Sequence, residues 1–134
     1  MYPNTRIDKI SLINFKNHLN TNLKDLGTFV VLNGNNGSGK TNILEAISLF
    51  SPGRGIKNSR FVEMPNKDRD QKNFEIKVNV KYDTGEVELF RSFSSVEKNK
   101  NYISVDNEKI TNFQLLEFIN ILWITPVSYT HLRA

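Results

Sequence analysis

Strict alternation of apolar and polar residues over positions 74–82 is the clearest pattern in the chain. It predicts a β-strand with one buried and one exposed face. The polar stretch 83–86 contains Gly85 and predicts a tight turn, after which residues 87–93 are the expected antiparallel partner. Residues 102–105 follow a second polar turn as a third strand. This part of the chain is therefore expected to form an antiparallel meander.

Two uninterrupted apolar runs, residues 28–32 and 121–124, have the composition of strands that are buried on both faces of a parallel sheet. Trp123 lies in the second run and is expected to belong to the core. Earlier in the chain, residues 7–15 predict a first strand, and residues 20–25 predict a second strand or its turn.

Residues 42–50 have apolar side chains at helical spacing and end at a Ser-Pro-Gly sequence, which predicts a helix. Thr111 and Gln114 have the spacing of a capping box, which predicts a short helix that ends at position 118 or 119. Residues 51–73 are polar and rich in Pro, Gly and charge, so they predict a long, mobile connection.

The overall composition is that of a chain that can form a core. Of its 134 residues, 38% are hydrophobic and 24% are charged, which fits one domain or a piece of one. Cys is absent, which excludes disulfides and thiolate metal sites. No apolar stretch has the length of a signal peptide or of a membrane span, so we expect a cytoplasmic protein that does not contact membranes.

The net charge of +4 fits a nucleic-acid partner without showing one. Arg54, Lys57 and Arg60 occur with no acidic residue between Glu45 and Glu63. Two interpretations of this basic segment stay open: a loop near the phosphates of DNA or nucleotide, or a solvated loop.

The sequence Gly-Asn-Asn-Gly-Ser-Gly-Lys-Thr at positions 34–41 fits the phosphate-binding loop (P-loop) pattern G-x-x-x-x-G-K-[ST] at each fixed position. Glycines let backbone N–H groups curl around phosphate oxygens, the lysine reaches the β- and γ-phosphates, and the threonine hydroxyl binds Mg²⁺. An apolar run precedes the loop and a predicted helix follows it, which is the context that the motif needs. The pattern predicts a nucleotide site, with Thr41 as a metal ligand, made by Gly34, Asn35, Asn36, Gly37, Ser38, Gly39, Lys40 and Thr41.

The alternative for this stretch is a turn that binds nothing. If it does bind a nucleotide, the base is expected to be adenine. GTPases usually recognise guanine with an Asn-Lys-x-Asp motif, and the nearest sequence here, at positions 66–69, ends in Arg69 and follows no apolar strand. We therefore expect residues 66–69 to form a solvated loop and the site to prefer ATP over GTP.

Together these motifs resemble the ATP-binding cassette (ABC) heads of the SMC and RecF group. Asn36 precedes the second glycine of the P-loop, and Asn-Ile-Leu-Glu-Ala-Ile follows the loop at positions 42–47, as is typical of that group. Residues 10–18 are similar to the first strand and turn of such heads. Residues 51–57 resemble the RecF-family segment that follows the P-loop helix. Residues 122–126 resemble the RecF-family strand that leads to the Q-loop.

The resemblance implies an α/β fold, namely the N-terminal lobe of an ABC-type P-loop NTPase head with an antiparallel β meander. It implies binding of ATP and Mg²⁺, with Lys16 and Asn17 in contact with the nucleotide phosphates; an exposed charged turn is the alternative for these two residues. It implies action in DNA replication, recombinational repair and the SOS response. The implied partners are single-stranded or gapped duplex DNA, recombination-mediator proteins of the RecF pathway, and a second copy in an ATP-dependent homodimer.

Residues 127–134 resemble a translated sequencing adapter, so the partial ATPase head is expected to span residues 1–126 and the tail to be non-native. No run of four apolar residues ends in Asp-Glu, and no Leu-Ser-Gly-Gly signature occurs, so these residues alone are not expected to turn over ATP. Two other hypotheses stay open: the head of another SMC-like ATPase, and a non-enzymatic remnant that binds nucleic acid through its basic segment.

Overall fold

The computed structural model describes residues 4–53, 55, 57, 59–70, 72–96 and 98–124. Its strands are β1 (Arg6–Phe15), β2 (His18–Leu23), β3 (Asn73–Tyr82), β4 (Gly85–Ser94), β5 (Lys100–Val105) and β6 (Glu108–Lys109). Its helices are α1 (Lys40–Ser48) and two 3₁₀ helices, Phe61–Glu63 and Phe113–Glu117. Across the described ranges, no helix is both long and apolar enough to cross a bilayer. The predicted tail at 127–134 lies outside the described residues.

The strands form one six-stranded antiparallel sheet in the order β2-β1-β3-β4-β5-β6. The alternation predicted for the meander is confirmed, because every second residue of β3 is buried. The buried residues of β3, each at most 1% exposed, are Phe74, Ile76, Val78 and Val80. The residues between them point to the other face, so β3 has one apolar side that needs a cover.

α1 provides part of that cover. Its buried residue Ala46 and the following Leu49 and Phe50 belong to the same apolar cluster as Leu12 of β1 and Ile76 of β3. The helix predicted from residues 42–50 is thus confirmed, with a start at the end of the P-loop. Its packing on the sheet fixes where the loop that precedes it can lie.

The shorter predicted elements are also present. β1 and β2 pair as a hairpin, with Ile10 opposite Leu23 and Phe15 opposite His18. The capping box forms in both directions: the Thr111 N–H donates to Gln114 Oε1 at 2.8 Å, and the Gln114 N–H donates to Thr111 Oγ1 at 3.4 Å. The helix that follows is the five-residue 3₁₀ helix Phe113–Glu117, which is shorter than the predicted one.

The two strands predicted from uninterrupted apolar runs are wrong for the described structure. Residues 28–32 and 121–124 have no strand conformation, and their side chains are largely in solvent. Exposure reaches 87% at Phe29 and 97% at Ile124, and Trp123, expected in the core, is 38% exposed. A strand needs neighbours for its backbone N–H and C=O groups, and no described strand pairs with either run.

The mobile connection predicted for residues 51–73 is wrong for its second half. Phe61 stacks on Phe74 and Phe93 of the sheet, with ring centroids 6.4 and 6.1 Å apart. Met64 is fully buried, and its carbonyl oxygen accepts a hydrogen bond from the Lys16 N–H at 2.7 Å. The Phe61 side chain therefore fastens this polar segment to the sheet, and the Met64 backbone joins it to the β1–β2 turn.

Candidate nucleotide-binding site

Two glycines of the P-loop have backbone angles that suit glycine. The angle φ is +85° at Gly37 and +96° at Gly39, in the left-handed region where side chains are strained. Gly39 also lies directly against the β1–β2 turn. A Cβ built on Gly39 would lie 2.4 Å from His18 Nε2 and 2.6 Å from Asn17 Oδ1. Position 39 therefore needs glycine both for its backbone angle and for space.

The loop leads into an uncapped helix N-terminus. α1 has no side-chain cap and no acidic residue in its first turn, and its first intrahelical bond runs from the Ile43 N–H to the Gly39 carbonyl at 3.1 Å. The N–H groups of that turn lack intrahelical acceptors and, with the helix dipole, favour an anion. An open cavity of about 220 Å³ borders this turn, lined by Asn36, Gly37, Gly39, Lys40, Thr41 and Asn42.

The ammonium of Lys40 folds back onto the loop. Its Nζ donates a hydrogen bond to the carbonyl oxygen of Gly34, the first residue of the motif. Lys40 is the only cation among residues 34–41. A phosphate oxygen in place of the carbonyl would make this bond charge-assisted on both sides and hence stronger. The geometry therefore suits an anion at the loop.

Asn17 joins the β1–β2 turn to the P-loop. Its Nδ2 donates to the Gly37 carbonyl at 3.4 Å, and its Oδ1 accepts from Asn42 Nδ2 at 2.9 Å. The phosphate contact of Asn17 stays a prediction, and the structure brings the residue to the loop. Its neighbour Lys16 points instead toward α1, where its Nζ lies 3.6 Å from Glu45 Oε1.

Only one of the two side chains in the Lys16–Glu45 pair is fully buried. The side chain of Glu45 is fully buried, whereas that of Lys16 is 21% exposed. Neither carboxylate oxygen of Glu45 has a hydrogen-bond partner among the described residues. The ammonium of Lys16 is therefore the main compensation for a buried charge, and Lys16 contributes to the site through the helix that carries the loop.

His18, which has no predicted role, lies beneath the P-loop. Its Nε2 lies 2.9 Å from the Gly39 carbonyl oxygen, and its Nδ1 lies 2.8 Å from Thr21 Oγ1. The side chain is buried, with 8% exposure. A single histidine in a strand of mixed polarity gives no sequence signal for such a contact, because its partner is 21 positions away.

Another contact that the sequence did not reveal lies at the opposite end of α1. Arg91 of β4 is 1% exposed, and its Nη1 donates to the Leu49 carbonyl at 2.9 Å and to Asn112 Oδ1 at 3.2 Å. Its guanidinium carbon lies 4.9 Å from the centre of the Phe61 ring. Burial lowers the pKa of Arg91 to about 10, so it stays charged at neutral pH. A positive charge at the C-terminus stabilises the helix dipole.

The basic segment is only partly available to an external phosphate. Arg54 lies outside the described residues. Lys57 Nζ donates to Asn42 Oδ1 at 3.4 Å, next to the P-loop. Arg60 Nε lies 3.0 Å from Glu63 Oε1, and this bond lowers the pKa of the Glu63 carboxyl below its usual value. Lys57 is thus the described cation of this segment that lies beside the candidate site.

The predicted Mg²⁺ ligand at this site is Thr41. In the part of the chain that the structure describes, no three His, Cys, Asp or Glu side chains come together as a metal site. Thr41 is exposed in the first turn of α1, directly after Lys40. Mg²⁺ commonly takes one or two protein oxygens and fills its shell with phosphate oxygens and water, and the Thr41 hydroxyl fits that requirement.

The chain is similar to curated RecF proteins. It is 37% identical over 123 residues to the DNA replication and repair protein RecF of Rickettsia prowazekii, a match that covers 92% of this chain and 33% of the relative. The identity to RecF of Rickettsia felis is 36% over 123 residues, with the same coverage. The chain therefore spans about a third of the length of these curated relatives.

Solved structures show the same fold. The recombination mediator protein RecF-ATPrS of the RecFOR pathway matches with a TM-score of 0.69 at 25% identity, over 84% of this chain and 30% of that one. The SMC head domain from Thermotoga maritima matches with a TM-score of 0.58 at 17% identity, over 84% of this chain and 41% of that one. The implied fold, the first lobe of an ABC-type ATPase head, is thus confirmed.

The family itself is shown by the sequence match. A model of the AAA ATPase domain matches residues 6–123, which include the P-loop, α1 and all six strands. The chain therefore belongs to the family of AAA ATPase domains.

Proposed function

We propose that the chain is the ATP-binding lobe of a RecF-like ATPase that binds DNA and acts in DNA replication and recombinational repair. One observation carries the proposal: the P-loop lies on the uncapped N-terminus of α1, with Gly37 and Gly39 in left-handed conformations and Lys40 over the loop. Similarity to RecF proteins over 92% of the chain supports it. The structural match to RecF-ATPrS supports a nucleoside triphosphate as the ligand.

In this proposal the phosphates lie in the cavity at the start of α1. Backbone N–H groups of the first turn and the ammonium of Lys40 bind the phosphate oxygens. The Thr41 hydroxyl and the phosphates hold Mg²⁺, which neutralises phosphate charge when it is bound. Asn17, which already contacts the loop, can reach the phosphates by exchanging its present partner. We propose the same contact for Lys16, which would have to leave Glu45.

The further partners belong to a longer protein of this type. We propose single-stranded or gapped DNA, recombination mediators of the RecF pathway and an ATP-dependent second copy as its partners, and the cytoplasm as its location. Lys57, which lies beside Asn42 at the P-loop, and the net charge of +4 support the DNA partner. Hydrolysis is proposed for the longer protein, because the 134 residues contain no Asp-Glu strand end and no signature motif.

Equilibrium titration of the chain with a fluorescent ATP analogue and Mg²⁺ tests the proposal. Lys40→Ala is expected to weaken binding about 10- to 150-fold, the range for loss of a hydrogen bond to a charged group. The matched control is Lys77→Ala, which removes the same charge from the exposed face of β3 and should leave affinity unchanged. Unlabelled ATP should displace the probe at lower concentration than GTP.

Three results would count against the proposal. Equal affinity of Lys40→Ala and the parent chain would refute the phosphate-binding loop. Displacement by GTP at lower concentration than by ATP would contradict the RecF-like assignment. Binding of single-stranded DNA without any nucleotide binding would favour the remnant hypothesis, in which the basic segment acts alone.

A further inference from the structure

His18 is held from both ring nitrogens, which fixes its orientation beneath the P-loop. The residue opens β2 directly after the β1–β2 turn, opposite the fully buried Phe15. One nitrogen faces the Gly39 carbonyl at 2.9 Å and the other faces the Thr21 hydroxyl at 2.8 Å. Because the Gly39 contact is buried and the Thr21 contact is part-buried, rotation of the ring would leave the buried Gly39 carbonyl without this donor.

The two partners also select one neutral tautomer. A carbonyl oxygen only accepts hydrogen bonds, so the nitrogen that faces Gly39, Nε2, must carry the proton. Nδ1 is then an acceptor and can receive the Thr21 hydroxyl proton. His18 is therefore a donor to the loop and an acceptor from its own strand, and Thr21 orients the donor.

This contact determines the direction of the peptide group between Gly39 and Lys40. In a trans peptide the C=O and N–H point in opposite directions. The Gly39 carbonyl points to His18 and also accepts from the Ile43 N–H at 3.1 Å. The Lys40 N–H consequently points away from His18, on the side of the loop cavity. It is one of the N–H groups that a bound phosphate would use.

Close packing keeps this peptide from rotating. The 2.4 Å between a Cβ built on Gly39 and His18 Nε2 shows that the imidazole occupies the space next to the Gly39 Cα. The Asn17 side chain fills the adjacent space and donates to the Gly37 carbonyl. The carbonyl oxygens of Gly37 and Gly39 are therefore hydrogen-bonded to Asn17 and His18, respectively. The β1–β2 hairpin thus contacts the loop from one side.

We propose that His18 is a positioning residue for nucleotide binding: its Nε2–H, oriented by Thr21, holds the Gly39 carbonyl so that the Lys40 N–H faces the phosphates. The inference rests on the proposed function, because it concerns the same P-loop. His18 touches no phosphate itself. Its effect passes through the Gly39–Lys40 peptide, which distinguishes it from Lys40 and Thr41.

Two substitutions separate hydrogen bonding from packing. His18→Phe keeps a flat ring but has no donor, whereas His18→Gln can place an amide N–H near the position of Nε2. We expect His18→Phe to weaken binding of the fluorescent ATP analogue about three- to tenfold, the effect of one lost hydrogen bond. His18→Gln should restore affinity to within about twofold of the parent. Leu19→Phe, at an exposed neighbouring position of β2, is the control and should have no effect.

Nuclear magnetic resonance of the nucleotide-free chain gives a second readout that a packing role would not change. The ¹⁵N spectrum of the His18 ring should show the proton on Nε2. The Ile43 amide, which donates to the Gly39 carbonyl, should exchange faster in His18→Phe than in His18→Gln. Equal ATP affinity in all three proteins, or equal loss in both variants, would overturn the inference while the Lys40→Ala result upholds the P-loop. Absence of ATP binding by the parent chain would overturn both proposals.

Discussion

The Lys16–Glu45 pair allows an asymmetric prediction for stability. Lys16→Met removes the ammonium but keeps a straight apolar side chain, and Glu45→Met does the same for the carboxylate. Neither substitution changes side-chain length much or introduces a cavity. Because Glu45 is fully buried and Lys16 is 21% exposed, the two changes leave very different groups behind.

Lys16→Met leaves a carboxylate in the core with no hydrogen bond among the described residues. Breaking a buried ion pair in this way costs about 3–5 kcal/mol, and we expect the lower end because Lys16 reaches solvent. Glu45→Met leaves an ammonium that can turn to water, so its effect should lie within about 1 kcal/mol of zero. The double variant should resemble Glu45→Met, since both charges are then gone.

Urea denaturation of the parent, the two single variants and the double variant measures these differences in the free energy of unfolding. A loss of about 3 kcal/mol moves the midpoint by roughly 1–3 M at the usual slopes, which is a large share of the stability of a small domain. Lys77→Met on the exposed face of β3 is the control, and it should change stability by less than about 0.5 kcal/mol.

The relative stabilities of the two single variants, Lys16→Met and Glu45→Met, test this prediction. If Glu45→Met is more destabilising than Lys16→Met, the buried carboxylate is not the costly member of the pair. If Lys16→Met has the stability of the parent, Glu45 has another source of compensation and the argument from burial is refuted.

Three further predictions concern the loop, the far end of α1 and the tail. Gly39→Ala should lower the melting temperature and abolish ATP binding, since φ is +96° and the new Cβ would clash with His18. Gly27→Ala, whose Cβ would lie at an ordinary contact distance of 3.9 Å from the Phe29 carbonyl oxygen, should do neither. Arg91→Met should lower the free energy of unfolding, measured in urea, by about 2 kcal/mol, because the Leu49 carbonyl at the C-cap of α1 loses its donor. Burial lowers the folded pKa of Arg91 to about 10, below its unfolded value, so its charged form is penalised equally between pH 6 and 9. The difference from the parent should therefore be constant there, and the parent should gain stability only above about pH 10. Deletion of residues 127–134 should leave the thermal melt unchanged, and a lower melting temperature would show that the tail packs.

Local chemistry made the P-loop and the meander predictable. The glycine, lysine and threonine of the loop act within eight consecutive positions, so their spacing alone describes the site. The sequence of β3 alternates because only one face of the strand is buried, so every second residue is apolar. The Thr111–Gln114 capping box spans one turn, and it formed as predicted.

The composition of an apolar run does not specify which distant segment it pairs with. Residues 28–32 and 121–124 have strand composition, yet a strand exists only where another backbone supplies its hydrogen bonds. The described sheet uses β1 to β6 and leaves these runs unpaired. Conversely, Phe61 and Met64 looked like parts of a polar connection, and packing against the sheet gave them fixed positions.

The amino-acid sequence by itself determined the glycine-rich loop at positions 34–41, the helix that follows it and the antiparallel meander, because each depends on residues that are close along the chain. Only the tertiary structure decided what surrounds the loop. His18 reaches the Gly39 carbonyl, Lys16 lies beside Glu45, and Arg91 caps the far end of α1. These contacts join residues 21, 29 and 42 positions apart. No local pattern encodes them, because they arise when the sheet and the helix bury their apolar faces against each other.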